Sequence, residues 1–199
     1  MRLIQKIWFL FILMSIGLAD DILPLTQRYF HGEDMRVDYS RGTYLIVLAN
    51  TSLQSILEDE DTGDFIHFKK TQGYNVHIVD INDIGVNKDA LREYLRLYNA
   101  AALPWQTTDP LLEYVLLVGD VDAGSSFRIP AYQVASYSYP ELDITDHKYT
   151  YFDDDPLSPK FFIGRWPIRT EDELKKIKSR SIGYVTMHIP GTSYSLEDA

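Results

Sequence analysis

From Thr43 onward the chain alternates two kinds of hydrophobic pattern. Thr43-Tyr44-Leu45-Ile46-Val47-Leu48-Ala49 is a continuous apolar, β-branched run, the pattern of a strand buried on both faces. Asn50, Thr51 and Ser52 follow it with side chains suited to capping a helix. Leu53, Ile56, Leu57, Phe65 and Phe68 then suggest a helical face, which the polar stretch from Asp59 to Gly63 interrupts. Gly73 stands where a helix would end in the left-handed conformation. The cycle then repeats. Tyr74 to Asp80 reads as a second strand. Asn87 reads as an N-cap, and Ala90, Leu91, Tyr94, Leu95, Leu97 and Tyr98 predict a helix to about Ala102, closed by Pro104 and Trp105. A third strand is predicted over Leu112–Val118, ending in Gly119-Asp120, and a fourth over Phe161–Arg165. Thr170-Glu171-Asp172-Glu173 has the form of a capping box, with Thr170 at the N-cap and Glu173 at N3. It opens a helix through Leu174, Ile177, Ile182 and Tyr184.

Strands joined by helices, with near-continuous apolar strands, predict an α/β fold: a mostly parallel sheet with helices on both faces. The stretch from Gly124 to Pro159 is poor in periodicity and has room for short extra strands. Pro190 to Ala199 carries no periodicity. The first residues have a different logic. Arg2 and Lys6 precede an apolar run from Ile7 to Gly17, and the small residues Gly17 and Ala19 precede Asp20-Asp21. These are the parts of a secretory signal peptide, and the run is about half the roughly 20 residues that a spanning helix needs. The expected organisation is a signal peptide over 1–19, a lead-in over 20–42, an α/β subdomain over 43–188 and an irregular tail over 189–199, where truncation is expected. The expected location is extracellular or at the cell surface, with no stable membrane span after cleavage. An uncleaved N-terminal anchor is the alternative.

Composition removes several classes of function. The 199 residues include no cysteine, so this chain offers no disulfide, no Cys-ligated zinc, no iron–sulfur cluster and no thiol nucleophile. Acids exceed bases by 29 to 19, a net charge of −10, which argues against a nucleic-acid partner. There is no G-x-S-x-G nucleophile elbow, no Walker or dinucleotide loop and no H-E-x-x-H. The five histidines, His31, His67, His77, His147 and His188, are scattered without helical ligand spacing.

Three features remain. Asp80 and Asp120 stand at strand ends, where a parallel sheet binds ligands. They either hold a metal or phosphoryl group or cap the following loops. Asp143, Asp146, Asp153, Asp154 and Asp155 form an acidic stretch. Its Asp153-Asp154-Asp155 core is either a calcium site or a solvated turn, since calcium takes several carboxylate and carbonyl oxygens. Asp146-His147 are adjacent, and neighbours on a strand point to opposite faces, so they form a poor acid–base pair.

Read in order, the pieces form a series: Tyr114-Val115-Leu116-Leu117-Val118-Gly119-Asp120, Ile129-Pro130-Ala131, Thr145-Asp146-His147-Lys148-Tyr149, Asp153-Asp154-Asp155, and Phe162-Ile163-Gly164-Arg165-Trp166-Pro167-Ile168. Over roughly residues 43–188 this resembles the N-terminal half of the catalytic domain of gingipain-like cysteine peptidases. The resemblance implies a secreted endopeptidase with a caspase-like fold, a Cys nucleophile, a His base, often bound calcium, and protein or peptide substrates. In that family the His follows a Gly-His-Gly strand end and the Cys follows the next strand. Neither motif occurs in this sequence, so no catalytic residue carries over, and His188 does not fill the role. The expected function is therefore the N-terminal portion of such a peptidase, inactive alone. The alternatives are a secreted non-catalytic α/β binding module, with or without bound calcium, and an Asp-centred metal chemistry at Asp120.

Overall fold

A computed structural model describes residues 41–104, 106, 111–136, 140–153 and 155–187. Four parallel strands form the main sheet in the order β2-β1-β3-β6. They are β1 (Thr43–Leu48), β2 (Asn75–Asp80), β3 (Leu112–Val118) and β6 (Phe162–Trp166). A separate antiparallel hairpin pairs β4 (Tyr132–Ala135) with β5 (Leu142–Thr145). The hairpin occupies part of the stretch that has no periodicity in sequence. The helices are α1 (Gln54–Leu57), α2 (Phe65–Thr71), α3 (Ile81–Ile84), α4 (Lys88–Asn99) and α5 (Glu171–Thr186).

The apolar runs take the inner places of the sheet. Every residue of β1 is buried, with Ile46 and Val47 wholly so, and Val115, Leu117 and Val118 of β3 are equally enclosed. Burial of such side chains stabilises the fold by about 1.5–3 kcal/mol each. Not every strand is covered on both faces as its sequence predicts. The six residues of β2 are only half-buried because β2 is an edge of the sheet. Phe162, which opens β6 at the other edge, is exposed.

Alternation along β1 sorts the two layers. Tyr44 packs its ring against Phe65 of α2, and α1 and α2 both pack on α5. On the opposite face His77 of β2 meets Tyr98 of α4. Local chemistry fixes the ends. Asn50 accepts from the Ser52 N–H, Asn87 from those of Asp89 and Ala90, and Gly73 closes α2 at φ 87°. The interruption after α1 is a short 3-10 turn, Glu60–Thr62. Thr170 and Glu173 form the reciprocal capping box at the start of α5. Helix α4 stops at Asn99, short of the expected end near Ala102, and Ala101 turns the chain at φ 51°.

Two compact units divide the chain at Asp38–Tyr39. The first contains the expected signal peptide, and it lies outside the described residues, as do His31, Asp154, His188 and the tail from 189. Among the described residues no helix is long and apolar enough to cross a membrane.

Candidate functional site

An open parallel sheet offers a ligand crevice at its carboxyl edge, where successive connections leave for opposite faces. In the order β2-β1-β3-β6 that point lies between the ends of β1 and β3. Here the chain fills the crevice with its own backbone. The Asp120 N–H donates to the Phe127 carbonyl at 2.7 Å, and the Ile129 N–H donates to the Asp120 carbonyl at 2.7 Å. Phe127–Ile129 thus lies beside the end of β3 as a one-bridge extension of the sheet. Gly119 permits this approach: a Cβ there would stand 2.8 Å from the Phe127 carbonyl oxygen and 2.9 Å from the Ala49 Cβ.

Each strand-end acid combines a local cap with a partner distant in sequence. Asp80 accepts from the Thr51 hydroxyl at 2.5 Å and from the Asn82 N–H at 2.8 Å. Asp120 accepts from the Val121 N–H at 2.7 Å and forms an ion pair with the Arg169 guanidinium. Burial alone would raise both carboxyls. The donors outweigh it and hold both below the usual carboxylate range. Both acids therefore do what the capping alternative requires.

The described acids of the acidic stretch have separate partners. Asp146 accepts two bonds from Arg165, at 2.7 and 2.8 Å. Asp153 lies 3.2 Å from the Lys160 ammonium, and Asp155 caps the Leu157 N–H at 2.9 Å. Asp143 sits on β5, exposed. Among the described residues no group of three or more His, Cys, Asp or Glu is placed to hold a metal. Asp146 and His147 do not pair with each other. His147 Nε2 donates to the Pro156 carbonyl at 2.8 Å, and Asp146 faces β6.

Arg165 joins the separate sequence motifs. It leaves the sheet from β6 and is only 10% exposed at its side chain. Beyond the fork-like pair with Asp146, its Nη1 donates to the carbonyls of Gly119 at 3.0 Å and Ile129 at 2.8 Å, and its Nη2 donates to that of Pro130 at 3.3 Å. The Tyr149 hydroxyl adds a bond to the same Pro130 carbonyl at 2.7 Å. The Gly119-Asp120, Ile129-Pro130, Thr145-Asp146…Tyr149 and Ile163-Gly164-Arg165 segments, more than 40 residues apart at the extremes, thus form one polar knot below the carboxyl edge. From the other side Arg92 of α4 donates to the Lys148 carbonyl at 2.9 Å and the Tyr151 carbonyl at 2.7 Å. The signal for Arg165 was present in the sequence, since a charge inside an apolar strand needs buried partners. The partners themselves were not legible there. Arg169 as the partner of Asp120 was missed, because it lies in an exposed turn with no pattern.

A family profile covers the stretch that contains all of these segments. The profile of peptidase family C25 covers residues 38–195. The chain belongs to peptidase family C25. Two solved structures are similar to it. One, described only as a protease, superposes with a TM-score of 0.56 at 18% identity, over 77% of this chain and 31% of its own. The other is dimeric latent PorU from Porphyromonas gingivalis, with a TM-score of 0.47 at 18% identity, over 71% of this chain and 15% of its own. The chain thus spans about a third of the first structure's length and less of the second. A sequence comparison with curated proteins finds no match. As a C25 member the chain is peptidase-related, and its fold places a mostly parallel sheet between helices. The described polar residues at its carboxyl edge are engaged in structural bonds rather than assembled into a nucleophile and base.

Proposed function

We propose that this chain is the N-terminal portion of an exported, gingipain-like cysteine peptidase catalytic domain, and that it hydrolyses no peptide bond alone. One observation carries the reading. A family profile of cysteine peptidases matches residues 38–195, yet none of the 199 residues is a cysteine. Thiol catalysis requires a thiolate and a base within hydrogen-bond reach, and half of that pair is missing by composition. The knot around Arg165 supports a scaffolding role: it fixes the loops of the carboxyl edge by binding Asp146 and the carbonyls of Gly119, Ile129 and Pro130.

The purified chain, incubated with a panel of fluorogenic peptides under reducing conditions, should show turnover indistinguishable from buffer. Hydrolysis that co-purifies with the chain and survives thiol alkylation would overturn the proposal. Export is part of the same reading and rests on the residue pattern over 1–19. The exported protein should then begin at Asp20 by N-terminal sequencing, whereas an exported form that still begins at Met1 would mean an uncleaved anchor.

A further inference from the structure

Beside Phe127–Ile129 a cleft of about 490 Å³ opens between the start of α4, the turn after β3 and the β4–β5 hairpin. Its walls are mixed: Val86, Val121, Pro130, Ala131 and Ile144 supply apolar surface, and Asn87, Lys88 and Gln133 supply polar groups. Arg128 lines it, and the Arg128 Nε is buried with no hydrogen-bond partner among the described residues. The other arginines of this region are engaged: Arg92 with two carbonyls, Arg165 with Asp146 and three carbonyls, Arg169 with Asp120. The neighbouring acids are taken as well. Asp120 belongs to Arg169, and Asp89 accepts from the Tyr132 hydroxyl at 2.9 Å. The first N–H groups of α4 are already capped by Asn87, so the cationic character of the cleft rests on Arg128 and on Lys88 at its rim.

A buried guanidinium N–H without an acceptor is costly, and a charged acceptor relieves that cost best. The planar fork of Arg matches a carboxylate with two parallel bonds. One unpaired guanidinium and one lysine, within a molecule of net charge −10, suit a monoanion better than a phosphate dianion or a polyanion. The apolar part of the wall, from Val86 through Pro130 to Ile144, has room for a short hydrocarbon arm. We propose that the cleft binds an aliphatic carboxylate, with its carboxyl group on Arg128 and its arm against Val86, Pro130 and Ile144. The site is independent of the peptidase reading. Its ligand is either the C-terminal residue of a peptide or a free short-chain acid, which share this chemistry.

The test titrates the full chain calorimetrically with isovalerate, N-acetyl-leucine and N-acetyl-leucinamide. Both acids should bind in the millimolar range, and the amide should bind at least roughly tenfold more weakly, because it offers no charged acceptor. Tighter binding of N-acetyl-leucine than isovalerate assigns a peptide C-terminus, and the reverse order assigns a free acid. Arg128→Gln should weaken both acids by roughly tenfold or more, with partial recovery in Arg128→Lys. Ile144→Asp, at an exposed position on the hairpin, should weaken them while leaving the fold intact, as circular dichroism would show. The proposal is overturned if folded wild-type protein binds neither acid at roughly 20 mM, if it binds acid and amide equally, or if Arg128→Gln and Ile144→Asp both keep the wild-type affinity.

Discussion

Arg165 shows how one residue can account for a series of motifs. Its guanidinium spends its donors on Asp146 and on the carbonyls of Gly119, Ile129 and Pro130, so each short motif supplies an acceptor to a common centre. Removing one partner of a largely buried pair leaves the other charge uncompensated. Arg165→Ala should therefore cost about 3 kcal/mol or more in urea denaturation. Arg165→Lys should recover little of this, because an ammonium cannot reproduce the two parallel bonds to Asp146. A loss below about 1 kcal/mol for Arg165→Ala would mean that the knot is not a stabilising centre. Lys178 is a second buried cation with carbonyl partners. It is fully enclosed, donating to the Ile56 carbonyl at 2.6 Å and the Asp59 carbonyl at 3.0 Å, and so ties α5 to the end of α1.

At the scale of elements, the helices of one face carry two lysines held out of water. Lys69 of α2 lies 5.1–5.9 Å from the ring centres of Tyr44, Phe65, Phe68 and Tyr74. The rings attract an ammonium, but they also exclude water. Burial, helped by the Arg41 cation, pushes Lys69 down to about 8 from 10.5, and burial likewise lowers Lys178 of α5. Between about 8 and 10.5 the unfolded chain therefore binds more protons than the folded one, so stability should rise with pH across that window. Tyr94 and Tyr132 are pushed up to about 12, chiefly by burial. Above about 10 the folded state therefore holds the extra protons and stability should fall. Urea midpoints measured from pH 7 to 11 should pass through a maximum near pH 10. Lys69→Met should flatten the rising limb by on the order of 1–2 kcal/mol, allowing for the partial exposure of the ammonium. A midpoint that falls steadily from pH 7 would contradict this reading of Lys69.

The same scale shows what the sequence could and could not reveal. Thr170 with Glu173, Asn87, and Gly73 lie at helix ends because their side chains or backbone freedom act within a few residues, and such short-range chemistry is legible in one dimension. The buried run of β1 is legible for the same reason. The edge position of β2 is only hinted at by Asn75, His77 and Asp80 among Val76, Ile78 and Val79, because strand order is what makes a strand an edge. The hairpin β4–β5 has no periodicity to announce it: Gln133, Val134, Ala135, Leu142, Asp143 and Ile144 are all exposed, so no face is consistently apolar. Asp120 was visible as a strand-end acid, but its engagement by Arg169 depends on a contact 49 residues away.

At the scale of the whole molecule, the described elements of the second unit form a covered parallel sheet whose ligand crevice is closed by Phe127–Ile129 and whose edge acids are capped. The fold is that of peptidase family C25, and the reaction of a cysteine peptidase needs a group this chain does not contain. On the proposed function these 199 residues supply the framework, and a further stretch of the same polypeptide supplies the nucleophile and base. Determining the open reading frame of the encoding transcript tests it most directly. The frame should continue beyond Ala199 through a strand ending in Gly-His-Gly and a following strand that leads to a cysteine. A stop codon directly after Ala199 would contradict it and leave a family member that has kept the fold without the reaction.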